Sequence, residues 1–224
     1  MTNGAGRVRW SSVVRLAIGV LMPLVLILSN VRLMLTPLFV SVEYGTPGFP
    51  DDPYGFTRQE RTRLAHLARV YLLNTAAIEF LADQRDAGGN PLFNDRELSH
   101  MLDVKQLVQR ALTVWVVSGL LLLLAVIAAW RYGGDAVRSG LRLGGRVTLG
   151  LMATLIVLLL VSFSTLFTGF HELFFQGGTW LFYYTDTLIR LFPMRFWRDI
   201  FALLLLLTLG EAALLLWLAR RRPA

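Results

Sequence analysis

A chain of 224 residues that is 55% hydrophobic and only 17% charged departs from soluble domains, which run nearer to roughly 45–50% apolar and about 25% charged. It has no cysteine, which excludes disulfides, Fe–S clusters, thiolate zinc sites and cysteine nucleophiles. A net charge of +7 suggests nucleic acid in a soluble chain. Here the arginines flank long apolar blocks, so orientation in a membrane accounts for the excess and no nucleic-acid partner is expected.

Four apolar runs, 13–36, 111–130, 147–170 and 200–219, reach the roughly 20 residues that a bilayer core requires. The first follows Arg7 and Arg9 but is too long for a signal peptide and shows no small-residue cleavage site, so it reads as an uncleaved first helix. Arg7, Arg9 and Arg15 precede it. Arg131, Arg138, Arg142 and Arg146 lie between the second and third runs, and Arg220, Arg221 and Arg222 follow the fourth. The positive-inside rule then puts both termini in the cytoplasm and leaves 42–110 and 170–199 outside. All three histidines, His66, His100 and His171, fall in these extracytoplasmic segments.

The first of them opens on a Pro- and Gly-rich stretch, about 42–53, that reads as an extended connection. Thr57-Arg58-Gln59-Glu60 fits a capping box. Leu64, Leu67, Ala68 and Tyr71 then recur at helical spacing, predicting an amphipathic helix from about 58 to 83 that rests on the bundle or the headgroups. Residues 86–91 read as a turn. Asn94 and Glu97 look like a second cap, opening a helix that runs unbroken into the second span. On its first turns Glu97, His100 and Asp103 share one face, where a carboxylate can hold an imidazole's tautomer and raise its basicity.

The segment 170–197 is dense in Phe, Trp and Tyr. Such rings favour the headgroup layer, so His171 is expected at a membrane surface among side chains suited to holding lipid. Its plainer reading is an interfacial anchor or a histidine satisfied by a backbone carbonyl. His100 reads equally as a surface histidine beside two acids, and His66 as structural. His171-Glu172 opens like a zincin motif, but Phe175 breaks it, and no metal site is expected. Gly177-Gly178 is too short for a phosphate loop and lets the backbone turn. Two charges lie inside spans. Arg32 can snorkel or face substrate. Glu211 lies roughly 12 Å deeper at 1.5 Å per residue, too far to pair with it directly.

His100-Met101-Leu102-Asp103-Val104-Lys105 resembles the HMxDVK element of a four-span bacterial membrane family, the lipoprotein intramolecular transacylases (Lit). His171 with Phe174-Phe175, Trp180, Asp186-Thr187-Leu188-Ile189 and Leu191-Phe192-Pro193 resembles that family's second element. One departure is visible. The family carries Trp-x-Phe-Asp-Pro after its second histidine, whereas Trp180-Leu181-Phe182 is followed here by Tyr183-Tyr184. The resemblance implies an all-α polytopic membrane protein: a four-helix transmembrane bundle with an extracytoplasmic helical cap and an aromatic membrane-surface segment. It implies transfer of an acyl chain from the diacylglyceryl group of a lipoprotein to the α-amine of its N-terminal cysteine, with no cofactor. Diacylglyceryl-modified lipoproteins and membrane lipids are then the partners. His171 and His100 are the implied catalytic pair, supported by Asp103, Glu97, Trp180, Asp186 and Arg32, with Phe174, Phe175 and Tyr71 against substrate. Other classes stay open: a non-catalytic lipid or lipoprotein binder, a small transporter using Glu211, and a metal-dependent hydrolase. Spacing alone does not bring His100 and His171 together.

Overall fold

The computed structural model describes residues 4–131, 134–175 and 177–220. Arg7, Arg9, Arg131, Arg221 and Arg222, which carry part of the charge argument, have side chains outside the described set. The described residues form helices α1 (Gly4–Met34), α2 (Pro37–Gly45), α3 (Arg58–Leu73), α4 (Glu79–Ala82), α5 (Asp95–Arg131), α6 (Asp135–Val161), α7 (Phe163–Phe174), α8 (Thr187–Leu191) and α9 (Met194–Arg220), and no named strand. The protein is all-α. Four helices, Trp10–Met34, Asp95–Trp130, Asp135–Val161 and Met194–Arg220, are long and apolar enough to cross a membrane.

The chain divides into two compact units. The first holds residues 1–31, 112–161 and 202–224. Its core joins Val14, Ile18 and Met22 of α1 to Ala129 of α5 and to Ala136 and Val137 of α6. Where lipid removes the hydrophobic drive between helices, small residues that allow close backbone approach take over. Gly140 and Gly144, four apart on α6, do this against α1: a Cβ on Gly140 would lie 2.8 Å from Ile18 Cβ, and one on Gly144 2.8 Å from Met22 Sδ. Gly145 meets Leu216 of α9 in the same way. Gly140→Val is therefore expected to cost about 1–3 kcal/mol by overpacking. Thermal unfolding of the detergent-purified protein measures it, and a melting curve that overlays the wild type contradicts the packing. Polar ties complete the unit. Asn30 Nδ2 donates to Thr208 Oγ1 (3.1 Å) and to Glu211 Oε2 (2.9 Å), so the intramembrane carboxylate is engaged by a neighbouring helix.

The second unit holds residues 32–111 and 162–201. Its core gathers Leu64, Ala68 and Tyr71 of α3, Leu81 of α4, Leu92, Phe93, Met101 of α5, and Leu188 and Leu191 of α8. Buried polar groups fix the loops to this core. Arg61, 3% exposed, donates to Arg190 O (2.9 Å) and Pro50 O (2.6 Å), with its guanidinium over Tyr44 and Phe49. Tyr44 Oη donates to Leu191 O. Arg190 pairs with Asp52 at 2.8 Å and lies 3.6 Å above the Phe56 ring.

The local caps form as their sequences require. Thr57 and Glu60 make the reciprocal capping box, and Asn94 and Glu97 exchange backbone and side-chain bonds at 2.9 and 3.0 Å. Residues 86–91 turn through Asp86, whose Oδ1 accepts from Gly88 N and Asn90 N at 2.8 Å each. α5 runs unbroken from Asp95 into the span.

Four expectations change. The amphipathic helix ends at Leu73 and not near 83, because Asn74 turns extended and its side chain accepts from Ala76 N. The stretch 42–53 is helical as far as Gly45, since Thr36 caps α2 and Pro37 presets its first turn. The run 147–170 is not one helix. Ser162 adopts extended geometry (φ −167°, ψ 109°) and its Oγ accepts from Thr165 N, ending α6 at Val161 and starting α7. Hydropathy stays high across that break, so it gave no warning. The fourth helix begins at Met194, directly after Pro193, ahead of the expected 200.

Candidate active site

α7 ends in the second unit at Phe174, with Phe175 N bonded to His171 O at 2.8 Å. Gly177 and Gly178 follow at φ 71° and 69°, left-handed geometry that glycine adopts without a Cβ clash. They turn the chain so that Trp180 and Phe182 come back against α5 and α7. There the two imidazoles meet. His100 and His171, 71 residues apart in sequence, lie with ring centroids 6.0 Å apart and planes inclined by 22°. His100 is 8% exposed and His171 7%.

The walls are aromatic. Phe175 packs on both rings, at 4.8 Å from His100 and 5.5 Å from His171. Phe182 meets His100 at 5.3 Å. Phe167 and Trp180 meet His171 at 4.2 and 5.0 Å. Phe174, nearly half exposed, packs at a tilt on Phe170 with centroids 4.8 Å apart. Leu173, Leu181, Tyr183 and Tyr184 are exposed around them.

The hydrogen bonds distinguish the two rings. His171 Nδ1 lies 2.7 Å from Phe167 O, one helical turn back. A carbonyl only accepts, so Nδ1 carries the proton, and neutral His171 presents the bare lone pair of Nε2. Burial pushes the His171 pKa below its ordinary 6.5, and the Phe167 carbonyl offsets part of that. His100 Nδ1 is buried and has no partner among the described residues. A buried polar atom left bare is free to bond a group brought by a substrate.

Because burial lowers its pKa, His171 is mainly neutral above 6.5 and gains its proton as pH falls below that value. In a ¹⁵N-histidine-labelled sample, NMR titration is expected to show an Nδ1–H tautomer with a midpoint under 6.5. An Nε2–H tautomer, or a midpoint at or above 6.5, contradicts this geometry.

The remaining sequence candidates separate into those at the site and those elsewhere. Trp180 and Phe175 are at the site. Asp103 is half-buried and does not bond His100, whose Nδ1 stays bare; shared helix face did not become contact. Glu97, 1% exposed, turns away from the imidazole and accepts from Leu188 N at 2.6 Å, anchoring α8. Asp186 accepts from Tyr183 N (2.8 Å), Arg96 Nη2 (2.9 Å) and Asn94 Nδ2 (3.1 Å). It thus ties the aromatic segment to the start of α5. Tyr71 is fully buried, stacked on Phe80 and covered by Lys105 Nζ at 4.1 Å, and so is packed into the core of the second unit. Arg32, half-buried, makes no hydrogen bond or ion pair among the described residues. His66 Nε2 lies 3.2 Å from Ser41 Oγ. Sequence reasoning gave no role to Phe167 or Phe182. The i−4 spacing of Phe167 from His171 was the available signal for the first; Phe182 was visible only as part of a motif.

Residues 16–197 match the family described as lipoprotein intramolecular transacylase Lit. An uncharacterized protein of Aquifex aeolicus is 30% identical over 189 residues, 83% of each chain. Among solved structures, the membrane-integral lipoprotein intramolecular transacylase Lit from Bacillus cereus is similar over 94% of both chains, at 18% identity and a TM-score of 0.78. A point-substituted form of that Bacillus cereus protein is similar over 94% of this chain and 92% of its own, at 17% identity and a TM-score of 0.70. At such identities the structural likeness is one of fold.

Proposed function

Because this chain belongs to the Lit family of lipoprotein intramolecular transacylases, and is an acyltransferase by that membership, we propose that it acts on diacylglyceryl-modified lipoproteins. It moves an acyl chain from the glyceryl group to the α-amine of the N-terminal cysteine and leaves the lyso-form. The observation that carries this reading is the buried, aromatic-walled pair of His100 and His171, one with a fixed basic Nε2 and one with a bare Nδ1.

The chemistry needs few parts. The neutral amine attacks the ester carbonyl, the new C–N bond forms, and the tetrahedral oxyanion collapses with loss of the glyceryl alkoxide. One proton travels from nitrogen to that leaving oxygen. His171 Nε2 takes the proton from the amine and returns it to the alkoxide, as a general base and then an acid. Its imidazolium is stabilised by the Phe167 carbonyl and by its place in the last turn of α7. His100 donates an N–H to the carbonyl oxygen as charge builds there. Amine and ester belong to one molecule, so orientation supplies much of the rate. The phenyl and indole rings exclude water that would otherwise hydrolyse the ester.

The arginine pattern supports cytoplasmic termini, with the histidine site on the extracytoplasmic face of the cell membrane. Since an α-amino group is neutral only above about 7.7–8.0, the rise of rate between pH 6.5 and 8 belongs to the substrate amine and not to His171. The test uses purified protein and two synthetic diacylglyceryl lipopeptides, one with a free α-amine and one N-acetylated. Acyl migration on the first alone is expected. Release of free fatty acid at equal rates from both would mean hydrolysis and overturn the reading.

A further inference from the structure

One helical turn along α5 from His100 lies a cavity of about 270 Å³, just below the roughly 300–1,000 Å³ usual for small-molecule sites. Its wall includes Asp86, Asn94, Thr185, Asp186, Thr187 and Arg190, with Phe56 on one side. The same two chain segments frame both spaces. Glu97 lines this cavity one helical turn before His100, and Thr185 lines it three residues after Phe182, which packs on His100.

The histidines are surrounded by rings, whereas the cavity offers mostly polar groups. Several of its side chains are already held rigid: Asp186 by Asn94, Arg96 and Tyr183 N, Thr187 by Leu92 O, and Arg190 by Asp52 and Tyr54 O. Arg190 commits Nε and Nη2 to these bonds and keeps Nη1 for another acceptor. Asn94 Nδ2 has given one of its two hydrogens to Asp186. Thr185 is exposed and makes no hydrogen bond among the described residues. Carboxylate acceptors (Asp86, Glu97 and Asp186) beside rigid groups with unused donors suit an uncharged chain of amide N–H groups and carbonyls.

We infer that this cavity is a peptide subsite, holding the backbone of the residues that follow the acylated cysteine while the cysteine's amine and ester reach the histidine pair. The inference rests on the transacylase reading and adds a source of specificity to it. A lipid-anchored amine with no peptide behind it engages only the histidine pair. A lipopeptide engages the cavity as well, and its register is set there.

The experiment compares two synthetic substrates with the purified full chain: diacylglyceryl-cysteine amide, and a diacylglyceryl pentapeptide with small uncharged residues after the cysteine. The wild type is expected to favour the pentapeptide in kcat/KM by about tenfold, the worth of one to two recovered hydrogen bonds. Thr185→Trp, which removes no bond and fills the cavity, is expected to bring that ratio towards one. Equal kcat/KM for the two substrates in the wild type overturns the subsite, as does a Thr185→Trp protein that keeps the preference. Should Thr185→Trp fail to fold, the wild-type ratio decides alone. Turnover of neither substrate by the folded wild type defeats the transacylase reading itself, and the subsite with it, so the two failures are told apart.

Discussion

Replacing His171 by Asn is expected to lower acyl transfer by about 10²–10⁴-fold, the usual worth of a positioned general acid–base. The fold should survive. The side chain loses one hydrogen bond, to Phe167 O at 2.7 Å, worth about 0.5–1.5 kcal/mol net, and its ring contacts with Phe167, Phe175 and Trp180, while His100 keeps its edge-on contacts with Phe175 and Phe182. Asn is close in size and polarity but cannot shuttle a proton near neutral pH, so it separates proton transfer from packing. His100→Gln provides the contrast. It keeps an N–H donor where His100 donates to the carbonyl oxygen, and should retain more activity than His100→Ala, which loses about 10²–10³-fold as for a missing oxyanion donor. Initial rates on a diacylglyceryl lipopeptide, with circular dichroism for folding, distinguish these cases. A folded His171→Asn protein within threefold of wild type removes His171 from the mechanism.

Glu97→Ala is expected to be the most destabilising single change in the second unit. The carboxylate is 1% exposed, and its two oxygens accept from Leu188 N at 2.6 Å and Asn94 N at 2.9 Å. Truncation leaves both N–H groups without an acceptor, and one of them lies in the first turn of α8. At about 1–3 kcal/mol for each stranded donor, the loss is about 2–6 kcal/mol. Because α8 follows directly from the segment bearing Trp180 and Phe182, activity should fall along with stability. Glu97→Gln keeps one acceptor oxygen but turns a donor towards the other N–H, so its melting temperature should lie between the two. An alanine variant that melts with the wild type shows that the carboxylate is not holding α8.

How much of this was legible in the sequence follows the range of each interaction. The caps at Thr57/Glu60 and Asn94/Glu97 are contained within four residues and form as their spacing requires. Four membrane-length helices were visible from hydropathy, because the bilayer rewards apolar length directly. The break at Ser162 was not, since phenylalanines keep the apolar signal running past a cap that depends on one hydroxyl. The surroundings of Tyr71 were hidden for a related reason. Helical periodicity reports that a face is apolar but not what covers it, and here the cover is Lys105 and Phe80. Asp103 shows the limit of spacing within a helix: i+3 allows a bond to His100, yet the imidazole faces Phe175 and Phe182 instead. The juxtaposition of His100 and His171 lay wholly beyond local pattern. It depends on Gly177 and Gly178 reversing the chain and on Glu97 and Asp186 binding the returning segment to α5. The Gly140/Gly144 pair was present in the sequence as a small-residue repeat and passed unread; its meaning appears when Ile18 and Met22 lie against it.

The central claim is tested most directly in a bacterial strain that lacks such an enzyme and makes only diacylglyceryl lipoproteins. Wild type and His171→Asn are expressed, one lipoprotein is purified from each, and its N-terminal lipopeptide is analysed by tandem mass spectrometry. The account predicts the N-acyl, monoacylglyceryl form with wild type and unchanged diacylglyceryl peptide with the variant. Unchanged peptide in both strains, with both proteins folded and inserted, would contradict it.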